Sequence, residues 1–375
     1  MEKIYLDNAA TTALRPEVIA EMVSVLQNDF GNPSSSHSFG RSSKSKLELA
    51  RKTIAQLLNV SAQEIIFTSG ATEANNWILK NAVENLNVKR IITSKIEHHA
   101  VLHAVEHLQR QHQIQVDFLK IKADGSIDIN HLMELLSQDI STMVSLMHVN
   151  NEIGTVLDLA EIALICKQHS VYFHSDAVQS VGKMKLDLQE VTVDFLVATA
   201  HKFHGPKGIG FAFIRKGTAI HPIFHGGEQE KGSRPGTESL HNIVGMAKAM
   251  QLSYQNLDSD RNQIQELKKY TVAQFEKHFP EVQFNGNSEK TFYTILNVQL
   301  PLDASKSSML LFTLDMKGIA VSRGSACQSG SARPSHVLAE FLNQEALLKP
   351  SIRISFSHLS TQKEVDRLIE ALLAV

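Results

Sequence analysis

The sequence predicts a three-layer α/β domain with a mostly parallel sheet, together with a smaller α+β domain near the C-terminus. Strand-like and helical patterns alternate from about residue 44 to residue 214 of the 375 residues. Strands joined by helical crossovers form parallel sheets covered on both faces. After residue 236 a long helical stretch is followed by mixed strands and helices. We expect a large domain at 15–255 and a small one made of 1–14 and 256–375.

Each predicted element depends on hydrophobic periodicity and on the turn residues beside it. Ala50, Ile54 and Leu57 share one helical face before the first strand of the alternating part. The predicted strands are 65–67, 90–93, 116–121, 143–149, 171–174, 195–198 and 211–214, with helices at 71–79, 99–111, 129–136 and 157–169. The later elements are a helical stretch at 237–277 with a turn near 258–260, strands at 294–300 and 352–356, and helices at 309–317 and 362–373.

The composition indicates an ordinary soluble protein. It is 43% hydrophobic and 20% charged, with 37 Lys and Arg against 39 Asp and Glu, a formal charge of -2. This balance does not favour nucleic acid or an anionic membrane as the main partner. The first residues lack the pattern of a signal peptide, and there is no apolar run long enough to span a membrane. We therefore expect a cytoplasmic protein.

Lys202 lies in a polar turn between two apolar strands, 195–198 and 211–214. A turn rich in Pro and Gly fixes the backbone, and a lysine amine in a partly desolvated cleft becomes a nucleophile able to form a Schiff base. By itself this segment favours a solvated loop lysine, since most lysines beside a Gly-Pro turn are of that kind. The remaining motifs decide between the two interpretations.

Two further motifs follow predicted strands. A turn containing Gly70 leads into a helix, where backbone N–H groups and the Thr72 hydroxyl can bind a phosphate, although an ordinary helix cap fits as well. Asp176 ends another strand and can pair with a ring nitrogen. With Lys202 these make the three anchors that pyridoxal 5'-phosphate (PLP) requires. One imidazole of the adjacent His98 and His99 can lie over the ring, and a metal site is less favoured because no third ligand has suitable spacing.

The two cysteines lie in different settings. Cys327 lies among small residues at 321–331, a composition that predicts an exposed and reactive thiol. Cys166 shares the apolar face of a predicted helix, so we expect it to be buried and inert. Two cysteines cannot form a disulfide framework or a four-ligand zinc site.

Eight motifs occur in a fixed order: YLDNAATT at 5–12, GNPSS at 31–35, TSGATE at 68–73, NNEIG at 150–154, DAVQ at 176–179, HK at 201–202, RPGTE at 234–238 and GSAC at 324–327. Together they resemble the NifS/IscS type of cysteine desulfurase, which belongs to the class V aminotransferases of PLP fold type I. The match runs from residue 5 to about residue 356.

The resemblance implies roles by position. Lys202 binds PLP covalently, His99 stacks on the ring and takes part in proton transfer, and Cys327 receives the sulfur. The implied cofactor-binding residues are Ala71, Thr72, His99, Asn151, Asp176, Gln179, Thr199, His201, Lys202 and Thr237. The threonine matching Thr237 serves the partner subunit in this family, which implies a homodimer. The implied substrate-binding residues are Asn151, Arg353 and, with weaker support, Asn32.

The implied function is conversion of L-cysteine to L-alanine, with transfer of the sulfur as a persulfide on Cys327 to an iron–sulfur scaffold or another acceptor protein. Two alternatives stay open: a selenocysteine lyase or aminotransferase of the same fold, and a catalytically idle sulfur-relay scaffold. Pro235 and Arg333 depart from the family pattern, and Arg333 leaves the choice of acceptor open.

Overall fold

The structure, a computed structural model, describes residues 3–286, 291–324 and 334–375. Within these ranges the strands β1 to β12 are Ile4–Tyr5, Ile65–Thr68, Arg90–Ser94, Gln115–Leu119, Thr142–Ser145, Tyr172–Asp176, Phe195–Thr199, Gly210–Ile214, Gln283–Phe284, Ile295–Gln299, Ile319–Ala320 and Ser351–Ser355. The helices α1 to α11 are Pro16–Asn28, Ser38–Leu57, Ala71–Glu84, His99–His112, Ile129–Leu136, Leu159–Gln168, Leu240–Gln255, Leu257–His278, Leu310–Met316, Gln344–Leu348 and Gln362–Leu373.

A seven-stranded sheet forms the centre, in the order β2-β8-β7-β6-β5-β3-β4. Strands β3 to β7 pair in parallel, whereas β8 is antiparallel to both of its neighbours. The prediction of a mostly parallel sheet is therefore confirmed. Strand β8 is antiparallel because the short connection from β7 returns the chain directly beside it, without a crossover helix.

Both faces of this sheet are covered, as a three-layer architecture requires. Successive side chains of a strand point to opposite faces. Leu196 and Ala198 join one hydrophobic cluster with helices α2, α6 and α7, whereas Phe195 and Val197 join another with α3 and α4. Every residue of β7 is buried, which explains why its sequence is a continuous apolar run and not an alternating one.

A second core lies in the C-terminal part of the chain. It combines residues of α8, β10, α9, β12 and α11 with Ile4 and Leu6 from the N-terminus. Strand β1 pairs in parallel with β11, and the Leu6 carbonyl accepts a hydrogen bond of 2.8 Å from the Ser355 N–H. The domain boundaries at residues 14/15 and 255/256 stay a prediction, and α7 and α8 contribute to different cores on either side of Asn256.

Two local predictions differ from the structure. The break in the long helical stretch lies at Asn256 and not at 258–260. Helix α1 was not predicted. Its Val18 and Val25 are buried, while Ile19, Val23 and Leu26 on the same helix are exposed. Among the described helices, none has the length and apolar character needed to span a bilayer.

Candidate active site

A cavity of about 500 Å³ lies at the carboxyl ends of β6 and β7, beside the N-terminus of α3. Ligands of α/β proteins bind at this edge of the sheet. Segments far apart in the sequence form its wall, including Ala9–Thr11, Asn151 and Arg353. The cavity therefore lies where the two cores meet, and its size is that of a small-molecule site.

Lys202 reaches this cavity from a short 3-10 helix, Ala200–Lys202, that directly follows β7. Its Nζ donates hydrogen bonds to the carbonyl oxygens of Ala9 and Ala10, each at 2.7 Å. The amine is thus held by backbone acceptors at a fixed position in the wall. This is the placement that the sequence predicted for a nucleophilic lysine.

Asp176 ends β6 and lies in the same cavity, with only 5% of its surface exposed. One carboxylate oxygen accepts a hydrogen bond from Asn75 Nδ2 at 2.7 Å, and the other accepts one from the Val178 N–H at 3.1 Å. Gln179 donates from Nε2 to the Ala9 carbonyl and accepts from Lys183 Nζ at 3.1 Å. These partners fix both side chains in orientation.

The phosphate-binding residues predicted from the sequence also gather here. Helix α3 begins at Ala71, after Gly70 with its positive φ of 155°, and its first N–H groups have no partner within the helix. Ala71, Thr72, Thr199 and His201 all line the cavity beside this terminus. Burial and nearby Lys202 lower the pKa of His201 to about 4, so its imidazole is neutral near pH 7.

The donor set fits PLP. A helix N-terminus suits the phosphate, a buried carboxylate suits the pyridinium nitrogen and a lysine amine suits the aldehyde. The structure brings all three groups to one cavity of adequate volume. In the described part of the chain, no cluster of three or more His, Cys, Asp or Glu side chains is arranged to hold a metal ion.

The ring-stacking histidine requires a correction, because His98 and not His99 lines the cavity. Helix α4 begins at His99, and His98 is the N-cap residue whose Nδ1 accepts the Ala100 N–H at 3.1 Å. The His99 ring lies elsewhere, in contact with the rings of His103 and His336. Adjacent residues at a helix start point in different directions, so the one-residue choice depends on where the helix begins.

Asn151 and Arg353 both line the cavity, as predicted for a substrate carboxylate site. Arg353 is 1% exposed, and it donates to the Asn151 carbonyl at 2.9 Å and to Asp7 Oδ1 at 2.7 Å. Its Nε has no hydrogen-bond partner among the described residues. A buried guanidinium with unused donor capacity suits a carboxylate ligand.

Asn32 and Thr237 do not line this cavity. They lie together in a separate cavity of about 280 Å³ formed by α1, the following segment and the start of α7. Cys327 lies outside the described residues. Cys166 is buried in α6, as predicted, and burial strongly raises the pKa of its thiol.

Sequence reasoning missed the backbone acceptors of Ala9 and Ala10 and two buried ionisable groups. Burial, with repulsion from Lys202 and Arg353, lowers the pKa of Lys183 to about 7. Burial raises the pKa of Glu97 to about 8. No sequence signal marks carbonyl groups, but Glu97 and Lys183 lie within two to four residues of the motif residues His99 and Gln179.

The comparisons with known proteins all match this chain to one family. Residues 4–368 match the family model described as aminotransferase class-V. The chain is 41% identical to cysteine desulfurase IscS of Dictyoglomus turgidum, covering 99% of this chain and 93% of that protein. It is 38% identical to cysteine desulfurase IscS of Clostridium botulinum strain Kyoto, covering 99% of this chain and 94% of that protein.

Solved structures agree with the sequence matches. A NifS-like protein superposes with a TM-score of 0.92 at 33% identity, covering 100% of this chain and 99% of that one. A structure described as SspA in complex with cysteine superposes with a TM-score of 0.82 at 31% identity, covering 96% of this chain and 100% of that one. These matches extend over both cores and the cavity between them.

Proposed function

The chain belongs to the class V aminotransferase family of PLP fold type I, and from this premise we propose that it is a cysteine desulfurase that converts L-cysteine to L-alanine. The observation that carries the proposal is one cavity lined by Lys202, Asp176, the N-terminus of α3 and Arg353. The first three groups suit PLP and the fourth suits the carboxylate of an amino acid. The relatives at 37–41% identity over nearly the whole chain support the same activity.

The proposal gives each cavity residue a task toward PLP. Lys202 would hold the aldehyde carbon, and Asp176 would keep the ring nitrogen protonated. Gln179 would donate to the ring hydroxyl through Nε2, because its Oε1 already accepts from Lys183. His98 would lie against the ring in place of His99. Ala71, Thr72, Thr199 and His201 would bind the phosphate.

The reaction then depends on which residues remove and donate protons. When bound, PLP supplies an electron sink that makes the Cα proton of the substrate acidic. Arg353 and Asn151 would hold the carboxylate in the cavity that Lys202 also lines. Lys202 would be the general base that removes the Cα proton. His98, whose pKa burial lowers against the opposing effect of Asp176, would move a proton at the leaving sulfur.

The Cys327 thiolate removes the sulfur atom from the substrate. Cys327 forms an S–S bond with the substrate sulfur while the Cβ–S bond of the substrate breaks, and the electrons of that bond remain with the carbon fragment. Protonation of Cβ, with return of the proton that Lys202 took from Cα, gives L-alanine, and the enzyme carries a persulfide. No external oxidant is required. The persulfide passes to an iron–sulfur scaffold or another sulfur-acceptor protein.

The proposal includes a homodimer. Helix α1 exposes a row formed by Ile19, Val23 and Leu26, which Phe30 extends with 74% of its surface exposed. Exposed apolar patches of this kind mark protein interfaces. Asn32 and Thr237 lie beside this row and away from their own PLP cavity. A second copy packed on the row therefore uses both residues to complete the cavity of its partner.

The proposed location is the cytoplasm, since a thiol that cycles through a persulfide needs a reducing compartment. The near-neutral composition supports a protein acceptor and gives no support to nucleic acid or a membrane surface as partner.

The test is the release of alanine and sulfide from L-cysteine by the purified protein with a thiol reductant. Equal amounts of both products are expected from the wild type, and neither from Lys202→Ala or Cys327→Ala. Full activity of Cys327→Ala would remove the persulfide step and favour the selenocysteine lyase or aminotransferase. A protein that binds no PLP would leave only the sulfur-relay scaffold.

A further inference from the structure

Glu152 lies at the point where the chain enters and leaves the segment 325–333, which contains Cys327. That segment is outside the described residues, but both of its flanks are described. Glu152 is completely buried, and its Oε2 accepts a hydrogen bond of 2.5 Å from the Ser335 hydroxyl on the C-terminal flank. A Cβ placed on Gly324, at the N-terminal flank, would lie 3.2 Å from the same oxygen. The Glu152 carboxyl group therefore holds the C-terminal flank by a hydrogen bond and lies close to the N-terminal flank.

The backbone around Glu152 is itself fixed to the substrate site. Asn150 Oδ1 accepts the Glu152 N–H at 2.9 Å, and the Glu152 carbonyl accepts from Asn297 Nδ2 at 3.1 Å. The preceding residue, Asn151, lines the cavity and receives a hydrogen bond from Arg353 on its carbonyl. Glu152 is thus one residue away from the proposed carboxylate site.

The C-terminal flank is well anchored beyond Ser335. The Ser335 hydroxyl also accepts the N–H groups of Val337 and Leu338, at 3.1 and 3.2 Å. Val337 and Leu338 are buried against Ile96 and Ile153. The hydroxyl therefore joins this packed turn to the Glu152 carboxyl group by a hydrogen bond.

The N-terminal flank is tied to the same region by backbone bonds. The Arg353 N–H donates to the Ser322 carbonyl at 2.6 Å, and the Ser322 N–H donates to the Arg353 carbonyl at 3.2 Å. Arg353 therefore holds one flank through its backbone while its guanidinium faces the cavity. Both flanks of the Cys327 segment are therefore linked to the substrate carboxylate site. The N-terminal flank is linked through the Arg353 backbone, and the C-terminal flank through Glu152, the residue after Asn151.

On the basis of the proposed function, we propose that Glu152, acting through Ser335, is a positioning residue that sets the ends of the Cys327 segment relative to bound L-cysteine. The formation of the S–S bond requires the Cys327 thiolate to approach the substrate sulfur as the Cβ–S bond breaks. A shift of about 1 Å in such an approach costs up to about 100-fold in rate. The binding of L-cysteine at Arg353 does not use the Ser335 hydroxyl.

The experiment compares two steps in the PLP-loaded enzyme. L-cysteine binding is measured from the change in cofactor absorbance, and persulfide on Cys327 is measured in a single turnover by alkylation and mass spectrometry. The variants are Ser335→Ala and Ser335→Thr, which keeps the hydroxyl. The matched control is Ser61→Ala, because the Ser61 hydroxyl also accepts a backbone N–H, that of Gln63 in the 3-10 helix Ala62–Glu64, but lies outside the cavity.

We expect Ser335→Ala to slow persulfide formation by about tenfold or more, with L-cysteine binding changed by less than about twofold. Ser335→Thr is expected to restore the rate, and Ser61→Ala to resemble the wild type. Equal rates in Ser335→Ala and Ser61→Ala would overturn the inference. Equal losses of binding and of persulfide would also overturn it, since they indicate general damage to the fold. A wild type without persulfide would instead refute the proposed function.

Discussion

The Glu97→Gln substitution tests the electrostatics of a buried carboxyl group next to the cavity residue His98. Glu97 is 1% exposed, and its Oε1 accepts from the Ser94 hydroxyl at 2.9 Å and from the Met147 N–H at 3.0 Å. Its Oε2 has no hydrogen-bond partner among the described residues. Burial, with a further contribution from the Asp176 carboxylate, raises the pKa of Glu97 from 4.5 to about 8. The folded protein thus holds this side chain in its protonated form at neutral pH.

The sign of the effect follows from proton linkage. Between pH 4.5 and about pH 8 the folded state binds one proton more than the unfolded chain at this group, so its contribution to stability falls as the pH rises. Each pKa unit corresponds to about 1.4 kcal/mol, which gives about 3–4 kcal/mol between pH 5 and pH 8. Gln imitates the protonated acid and does not titrate. The stability of Glu97→Gln relative to the wild type is therefore expected to rise across this interval.

The assay is urea unfolding of both proteins at several pH values, at one fixed concentration of protein and of PLP. The control is Asp187→Asn, because hydrogen bonds from Asn59 lower the pKa of Asp187, so that this group titrates below the interval. A difference between Glu97→Gln and the wild type that stays constant from pH 5 to pH 8 would refute the reasoning. So would the same pH dependence in Asp187→Asn.

Three other predictions follow from buried groups and from the cavity wall. Arg51 and Glu230 form a buried bidentate ion pair, at 2.6 and 2.8 Å. In urea unfolding Arg51→Met is expected to lose about 3–5 kcal/mol and the Arg51→Met, Glu230→Met double variant much less; equal losses would contradict this. His98→Ala is expected to lower alanine release about 10- to 100-fold and His99→Ala by much less, and the reverse order would restore the original assignment. Cys166 is expected to resist alkylation in the folded protein and to react after unfolding, and Cys166→Ala to keep persulfide formation, as peptide mass spectrometry can check.

The sequence predicted most of the large domain because most strands of its sheet, including β2, β3, β5, β7 and β8, are buried on both faces. The run Phe195–Thr199 has no polar residue before Thr199, as expected for a strand in the interior of a sheet, and it forms such a strand, β7. Lys202 and Asp176 follow such strands directly, and parallel strands bring their carboxyl ends to one edge. Both residues could therefore be assigned to one site before any distance was known.

The parts that were missed depend on tertiary contacts. The choice between His98 and His99 is decided by the residue at which α4 begins, and a helix end cannot be read from the sequence to within one residue. The acceptors for Lys202 are carbonyl groups of Ala9 and Ala10, which every residue possesses. Helix α1 carries apolar residues on the side that the chain itself leaves exposed, so its pattern is that of the proposed dimer interface as well as of a core.

The N-terminal wall of the cavity has a consequence for protein synthesis. The Ala9 N–H donates to the Ser355 hydroxyl, a partner 346 residues later in the chain, while the Ala9 carbonyl holds Lys202. At about 5–20 residues per second, a ribosome needs roughly 20–70 s to connect the two ends of this contact. The central sheet can fold during that time, but the wall around Lys202 cannot. The wall that holds Lys202 is therefore complete only after Ser355 has been synthesised.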